Sequence, residues 1–269
     1  MSAPGGRQPT HPAYGRLRVV ARLASVLLAE NPSPMTLDGT NTWVLRAPGE
    51  ESCVVVDPGE DDEVHLGRVA AHGPVALVLL THRHRDHAGG ARRLAELVDA
   101  PVRALDPSLV LGSEALGDGD VVTAAGVEMR VVGTPGHTSD SLSFLLDGPD
   151  AEPAVLTGDT ILGRGTTVVA HPDGALGPYL DSLHRLADLA PGTAVLPGHG
   201  PELPNAATAA AHYLAHREQR LDQVRAALAT LGPDATARQV VEVVYVDVDR
   251  TLWGAAELSV RAQLDYLRS

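Results

Sequence analysis

The chain of 269 residues contains a single cysteine and no lysine; all 21 of its basic residues are arginine. One thiol excludes a disulfide framework. Cys53 lies inside the strand-like run SCVVVD and reads as a buried, inert side chain. Long apolar runs are also missing: none reaches the roughly 18 to 20 residues of a membrane-spanning helix, so no membrane partner is expected. The run VVARLASVLLA, residues 19 to 29, imitates the core of a secretory leader, but Arg22 interrupts it and no small-residue cleavage site follows cleanly. It reads as the first strand of the fold, and the expected compartment is the cytoplasm. Cationic excess is absent as well. The net charge is −13, with 26 acids against 14 arginines in the first 204 residues and 8 against 7 in residues 205 to 269. Such a field repels a long polyanion, so DNA is not expected as a partner and RNA is disfavoured.

What is present is enough chain for one large domain with a small appendage. Residues 1 to 16 are rich in Pro and Gly without periodicity and read as a disordered arm. From about Leu17 to Gly200 short strands recur between Gly and Pro, with helices expected near 61–72, 88–98 and 175–190. This is an α+β pattern of sheets covered by helices, assigned to a catalytic domain over 17–202. After LPGHGPEL the texture changes to a helical subdomain over 203–269. Pro204 and Asn205 start a long helix that Gly232 and Pro233 stop. Thr236 and Gln239 have the form of a capping box, and another helix is expected from about Asp249 to Leu267. Val240 to Val248 is β-branched enough to allow a strand instead. There is no internal repeat and no low-complexity tract.

The densest chemistry is LLTHRHRDHAGG, where three histidines and an aspartate fall between His82 and His87, between a strand-like and a helix-like run. The same punctuation recurs three times: VEMRVVGTPGH ends a strand at His137, PAVLTGD at Asp159 and TAVLPGH at His199. Convergence of these ends at one rim gathers His82, His84, Asp86, His87, His137, Asp159 and His199. Imidazoles and carboxylates without thiolate suit zinc or another first-row divalent ion, iron and manganese included. In an extended segment His82 and His84 point the same way and can share one ion with His137. Asp86 and His87 at the turn into the helix reach a second with His199, and Asp159 can bridge. The remaining histidines lack this placement.

THRHRDH, TPGHTSDS, LTGD and LPGHG together resemble the metallo-β-lactamase superfamily, over residues 17 to 200. The resemblance implies an αβ/βα sandwich with metals at the rim of two packed sheets. True zinc β-lactamases place a cysteine at the position of Asp159, and flavodiiron proteins a glutamate at that of His84; neither branch fits. The pattern is similar to that of hydroxyacylglutathione hydrolase (glyoxalase II) and RNase Z. NPSPMTLDGTNTW, GDTILGRGTT and HREQRLDQ further resemble the beta-lactamase-like-protein-2 group, which implies a winged-helix-like C-terminal appendage. On that resemblance Asp57 orients a ligand histidine, and Thr40 and Asn41 stand near the substrate, although residues 31 to 43 read on their own as a turn between strands. Arg164 is a candidate for lining the pocket. His216, Arg217 and Arg220 form either a solvated helix face or a cationic edge that grips an anionic group. Arg83 and Arg85 read as surface or supporting residues.

The expectation is therefore a dinuclear zinc hydrolase in which a bridging hydroxide attacks a small ester or thioester and Asp86 holds the nucleophile in line. Cleavage of single-stranded RNA is the runner-up, and a non-catalytic metal-binding or interaction protein is the reading from another class. The complete ligand set disfavours the last, because a structural zinc site needs only four closed ligands.

Overall fold

The computed structural model describes residues 11–148 and 151–269. Residues 1–10 of the expected arm lie outside the described residues. Residues 11–16 correct that expectation, because Tyr14 forms a bridge with Leu28 and donates its hydroxyl to the Asp38 carbonyl at 2.6 Å. A half-buried aromatic ring and a backbone acceptor anchor them.

Two sheets face each other. The first holds β1 (Arg18–Val19), β2 (Ala24–Leu28), β3 (Asn41–Leu45), β4 (Cys53–Val56), β5 (Val75–Leu79) and β6 (Val102–Arg103), paired in chain order. The second runs in the order β11 (Ala194–Pro197), β10 (Ala154–Gly158), β9 (Leu142–Leu146), β8 (Val127–Gly133), β7 (Val121–Ala124). Residues 19 to 29 are thus two antiparallel strands rather than one; the chain turns around Arg22, where Val20 donates to the Ala24 carbonyl. A charged side chain in mid-run is satisfied at a turn and not in a sandwich core.

Strand alternation explains the layers. Val54, Val56, Leu77 and Leu79 point between the sheets and meet Met129, Val131, Phe144 and Leu156 from the other side. Cys53, Val55, Val78 and Leu80 point outward. There they pack on α1 (Glu63–Ala70) and α3 (Ala91–Val98), which follows the short α2 (Arg85–Ala88). The outer face of the second sheet, Val132, Leu145, Val155 and Val195, is covered by α4 (Leu176–Ala187) and α5 (Ala206–Leu231). Helices therefore flank both sheets, an αβ/βα sandwich.

Asn205 caps α5 by accepting from the Thr208 N–H, and Thr236 with Gln239 forms the expected capping box of α6 (Ala237–Val244). The strand alternative for 240–248 fails. Val240 and Val241 are buried while Val243 is exposed, a helical spacing that puts one face on α7 (Trp253–Arg268). These helices share their own apolar cluster, and α5 ties it to the sandwich through Tyr213 and Leu221.

Candidate metal centre

The seven expected ligand residues come together at one rim, each just past the C-terminal end of a strand. His82, His84, Asp86 and His87 follow β5 of the first sheet; His137, Asp159 and His199 follow β8, β10 and β11 of the second. His84 Nδ1 lies 3.1 Å from both His82 Nε2 and His137 Nε2. On the other side His199 Nε2 lies 3.2 Å from His87 Nε2 and 3.1 Å from Asp86 Oδ2. Asp159 stands between them: Oδ2 is 3.6 Å from His137 Nε2 and 3.4 Å from His199 Nε2, and Oδ1 is 3.4 Å from His87 Nε2. Among the described residues His82, His84 and His137 with Asp159, and Asp86, His87 and His199, form groups that could each hold a metal ion, with Asp57, His82 and His87 a third such group; Asp159 is in reach of the first two.

The backs of the rings decide which nitrogens face inward as lone pairs. His137 Nδ1–H donates to the Val168 carbonyl at 2.7 Å, His199 Nδ1–H to that of Gly39 at 3.1 Å, and His87 Nδ1–H to Asp57 Oδ2 at 2.8 Å. Thr81 gives its hydroxyl proton to Asp57 Oδ2 at 2.6 Å, so its oxygen accepts from His82 Nδ1–H at 3.0 Å. Four Nε2 lone pairs therefore converge, which is repulsive unless a cation stands among them. The spacing suits one: metal–nitrogen bonds of about 2.0–2.1 Å put adjacent ligands about 2.9–3.4 Å apart between octahedral and tetrahedral limits. Asp159 Oδ1 is buried without any hydrogen-bond donor. The donor set fits first-row divalent metal.

Charge distribution agrees. Burial pushes His82 well below the ordinary imidazole pKa and lowers His137. For His87 burial is outweighed by the Asp159 and Asp57 carboxylates, which hold its pKa well above the ordinary value; His199, beside Asp159 and Asp86, rises to about 9. Positive charge is thus favoured most on the side of His87 and His199.

Asp57 stands immediately after β4 and braces this rim. It accepts from the Thr81 N–H at 2.8 Å as well as from the Thr81 hydroxyl and His87, with its own backbone in the left-handed region at φ 53°. Gly198 lets the strands close. A Cβ there would stand 2.6 Å from both Asp159 Oδ1 and His87 Cε1. Arg83 points away from the cluster and links the two rims through Asp140 at 3.0 Å and Ser139 at 3.2 Å; Arg85 is exposed.

The expected substrate contacts fare differently. Thr40 and Asn41 are buried and spent on the protein: Asn31 donates to the Thr40 hydroxyl at 3.0 Å, and the Asn41 amide donates to the carbonyls of Pro197 and Gly200. They fix the loop that carries His199, a correction to their reading as substrate contacts. Arg164 is ion-paired with Asp38 and lines a cavity of about 230 Å³ with Arg16, Arg18 and Asn41. Arg217 is 4% exposed, donates to the Thr167 carbonyl and lies on the Tyr179 ring, so it is held by the protein while it borders the same cavity as its neighbours on α5. His216 and Arg220 do line a cavity beside the centre.

Sequence reasoning missed Thr81, Thr167 and Tyr213. Thr81 directly precedes His82, and a hydroxyl there was the available signal. Thr167 supports His137 Nδ1 at 3.1 Å, and the Tyr213 hydroxyl accepts from the Leu162 N–H at 2.8 Å. Nothing local in the sequence announces either contact. Of the other histidines, His65 is buried against the Thr42 hydroxyl at 2.9 Å.

Comparison with known proteins agrees with this geometry. Residues 35–199 match the model of the metallo-beta-lactamase superfamily, and residues 236–269 that of the beta-lactamase associated winged helix domain. A beta-lactamase-like protein 2 homolog from Drosophila melanogaster is 32% identical over 92% of this chain and 89% of its own length. An atrochrysone carboxyl ACP thioesterase from Aspergillus fumigatus is 31% identical over 81% of this chain and 72% of its own. The crystal structure of a beta-lactamase domain protein from Burkholderia ambifaria superposes with a TM-score of 0.78 at 25% identity, covering 96% of this chain and 89% of that one. No helix among the described residues is long and apolar enough to cross a membrane. With the family model spanning more than half of its length, the chain belongs to the metallo-beta-lactamase superfamily and is a hydrolase of that fold.

Proposed function

We propose that this hydrolase is dinuclear, holds zinc, and acts on a small thioester or ester. The observation that carries the reading is Asp159, whose two oxygens lie 3.4–3.6 Å from imidazoles of both donor groups. A buried carboxylate placed between two sets of inward lone pairs is what a shared ligand requires. His82, His84 and His137 would hold one ion, and Asp86, His87 and His199 the other. When bound, the ions would supply a nucleophilic hydroxide near neutral pH and polarise the carbonyl that gains charge. The protein's own residues do the rest. Asp57 and Thr81 fix the tautomers of His87 and His82, and Val168 and Gly39 fix those of His137 and His199. Asp86 is the most open of the carboxylates here, its side chain 22% exposed, and would accept a hydrogen bond from the attacking group and hold it in line. The thioesterase among the relatives supports a thioester, as does the acidic catalytic half.

The test offers a generic thioester and a single-stranded RNA to the same zinc-loaded protein, with Asp86→Asn as the control for contaminating nuclease and metal content measured alongside. Expected are two metals per chain and thioester turnover that chelator abolishes and the variant loses about a hundredfold or more. Metal-dependent RNA cleavage without thioester turnover would put the nuclease first. A stoichiometry fixed at one ion after full reconstitution would sink the dinuclear reading, and no turnover of either substrate would leave a metal-binding protein.

A further inference from the structure

The cavity between the metal rim and the C-terminal helices has a volume of about 250 Å³ and two kinds of wall. Met35, Val248, Leu252 and Ala256 make one side apolar, while His216, Arg217 and Arg220 of α5 line the other. Its floor, Thr166 to Val168, is the segment whose Val168 carbonyl and Thr167 hydroxyl hold His137. The cavity is therefore one residue layer from the reacting centre.

Its cations have no anions. Among the described residues neither arginine is paired with a carboxylate. Arg217 donates to the Thr167 carbonyl and stacks on Tyr179; Arg220 donates to the Gln223 amide oxygen at 2.8 Å and lies 4.8 Å above the Tyr245 ring. The Arg217 Nε and the adjacent His216 Nδ1 are both buried without an acceptor or donor opposite. A guanidinium this deeply buried without a negative neighbour is destabilising, and an anion in the cavity offsets that cost. What sets Arg217 apart is its burial at 4% exposure in a chain of net charge −13, eleven of whose other arginines are ion-paired.

We infer that this cavity is an anion-binding subsite for a carboxylate or phosphate on a short apolar stem, with Arg220 in direct contact and Arg217 and His216 supplying the positive potential behind it. Its link to catalysis rests on the hydrolase reading: the scissile bond lies at the metal rim and the charged end of the same substrate lies here. The charge has two possible sources, the acyl side, as in a half-thioester of a dicarboxylic acid, or the leaving group, as in a phosphorylated thiol.

Two measurements test it. The first follows the His216 ring resonances by NMR while inorganic phosphate, then succinate, is added to zinc-loaded protein. Burial, with Arg217 and Arg220 beside it, holds the His216 pKa down at about 4. An anion in the cavity raises it by about one unit in wild type and in Arg220→Lys, and by much less in Arg220→Gln. No rise with either probe overturns the subsite, whatever the protein hydrolyses. The second compares butyryl and succinyl thioesters of N-acetylcysteamine with a butyryl thioester of a phosphate-bearing thiol. Arg220→Gln should lower the preference for one anionic substrate over the neutral one about tenfold in kcat/KM, chiefly through KM, and the substrate affected identifies the source. An equal loss on neutral and anionic substrates makes Arg220 merely structural and overturns the proposal. If none of the thioesters turns over while phosphate still moves His216, the hydrolase reading fails and the subsite stands.

Discussion

At the scale of single residues, Gly198 shows how little room the centre leaves. A methyl group there would press on Asp159 Oδ1 and His87 Cε1 at 2.6 Å, and His87 cannot retreat because Asp57 holds its far nitrogen. Gly198→Ala should therefore displace a ligand of each donor group and weaken metal retention by about 10–100-fold, the scale of losses when a ligand's support is disturbed. Gly67→Ala, which meets nothing within 4 Å, is the control. Metal content after dialysis against a weak chelator reads the effect, and equal retention by both variants refutes it. His65 supplies a prediction of another kind. Burial lowers its pKa to about 4, so the folded protein keeps it neutral while the unfolded chain protonates it near its ordinary value of about 6.5. The unfolded state binds more protons between those values, so stability is lost as pH falls from about 6.5 toward 4, by up to about 3 kcal/mol. Urea unfolding of metal-free wild type and His65→Gln across that range should show a steeper decline in wild type; parallel curves would exclude this source. The seven donors were legible because their types are rare in cores and their spacing repeats at strand ends. Thr40 and Asn41 were read as substrate contacts because residue type and loop position do not reveal whether a polar group is already satisfied by the protein.

At the scale of elements, the signals that survived were those with a local cause. Asn205 and the Thr236–Gln239 pair mark helix starts because the Asn205 and Thr236 side chains accept from backbone N–H groups three residues on, and the Gln239 side chain accepts from the Thr236 N–H. Propensity alone did worse. Val240 to Val248 reads as a strand, yet α6 forms because its cap is present and its buried valines find α7. Residues 19 to 29 read as one strand, yet turn at Arg22. Thr236→Ala removes the hydroxyl that accepts from the Gln239 N–H, leaving the bond from the Thr236 N–H to the Gln239 side chain, and should cost about 1 kcal/mol, near the middle of the range for such caps. Thermal unfolding should place the midpoint lower by about 2–4 °C for a chain of this size. An unchanged midpoint would mean that packing of α6 on α7 overrides its cap.

At the scale of the whole molecule, the C-terminal helices hold the metal rim as well as covering a sheet. Tyr213 on α5 binds the backbone of Leu162 just after Asp159, and Arg217 binds the Thr167 carbonyl beside the group that supports His137. The same helix buries Ala209, Ala210, Tyr213 and Leu221 against the α4 side chains Tyr179 and Leu183. A chain ended at about residue 202 would expose those α4 side chains and Val195 of the sheet to water, at a cost of roughly 1.5–3 kcal/mol for each large side chain uncovered. It would also free the loops that carry Asp159 and His137. The truncated protein should therefore lose solubility, and whatever fraction stays in solution should bind dye at exposed apolar surface and retain less metal than the full chain. Size-exclusion chromatography, dye fluorescence and elemental analysis measure the three effects. A truncated form that is monomeric, soluble and equally active would show that the sandwich alone organises its centre, and would reduce the helices to a cover over the second sheet.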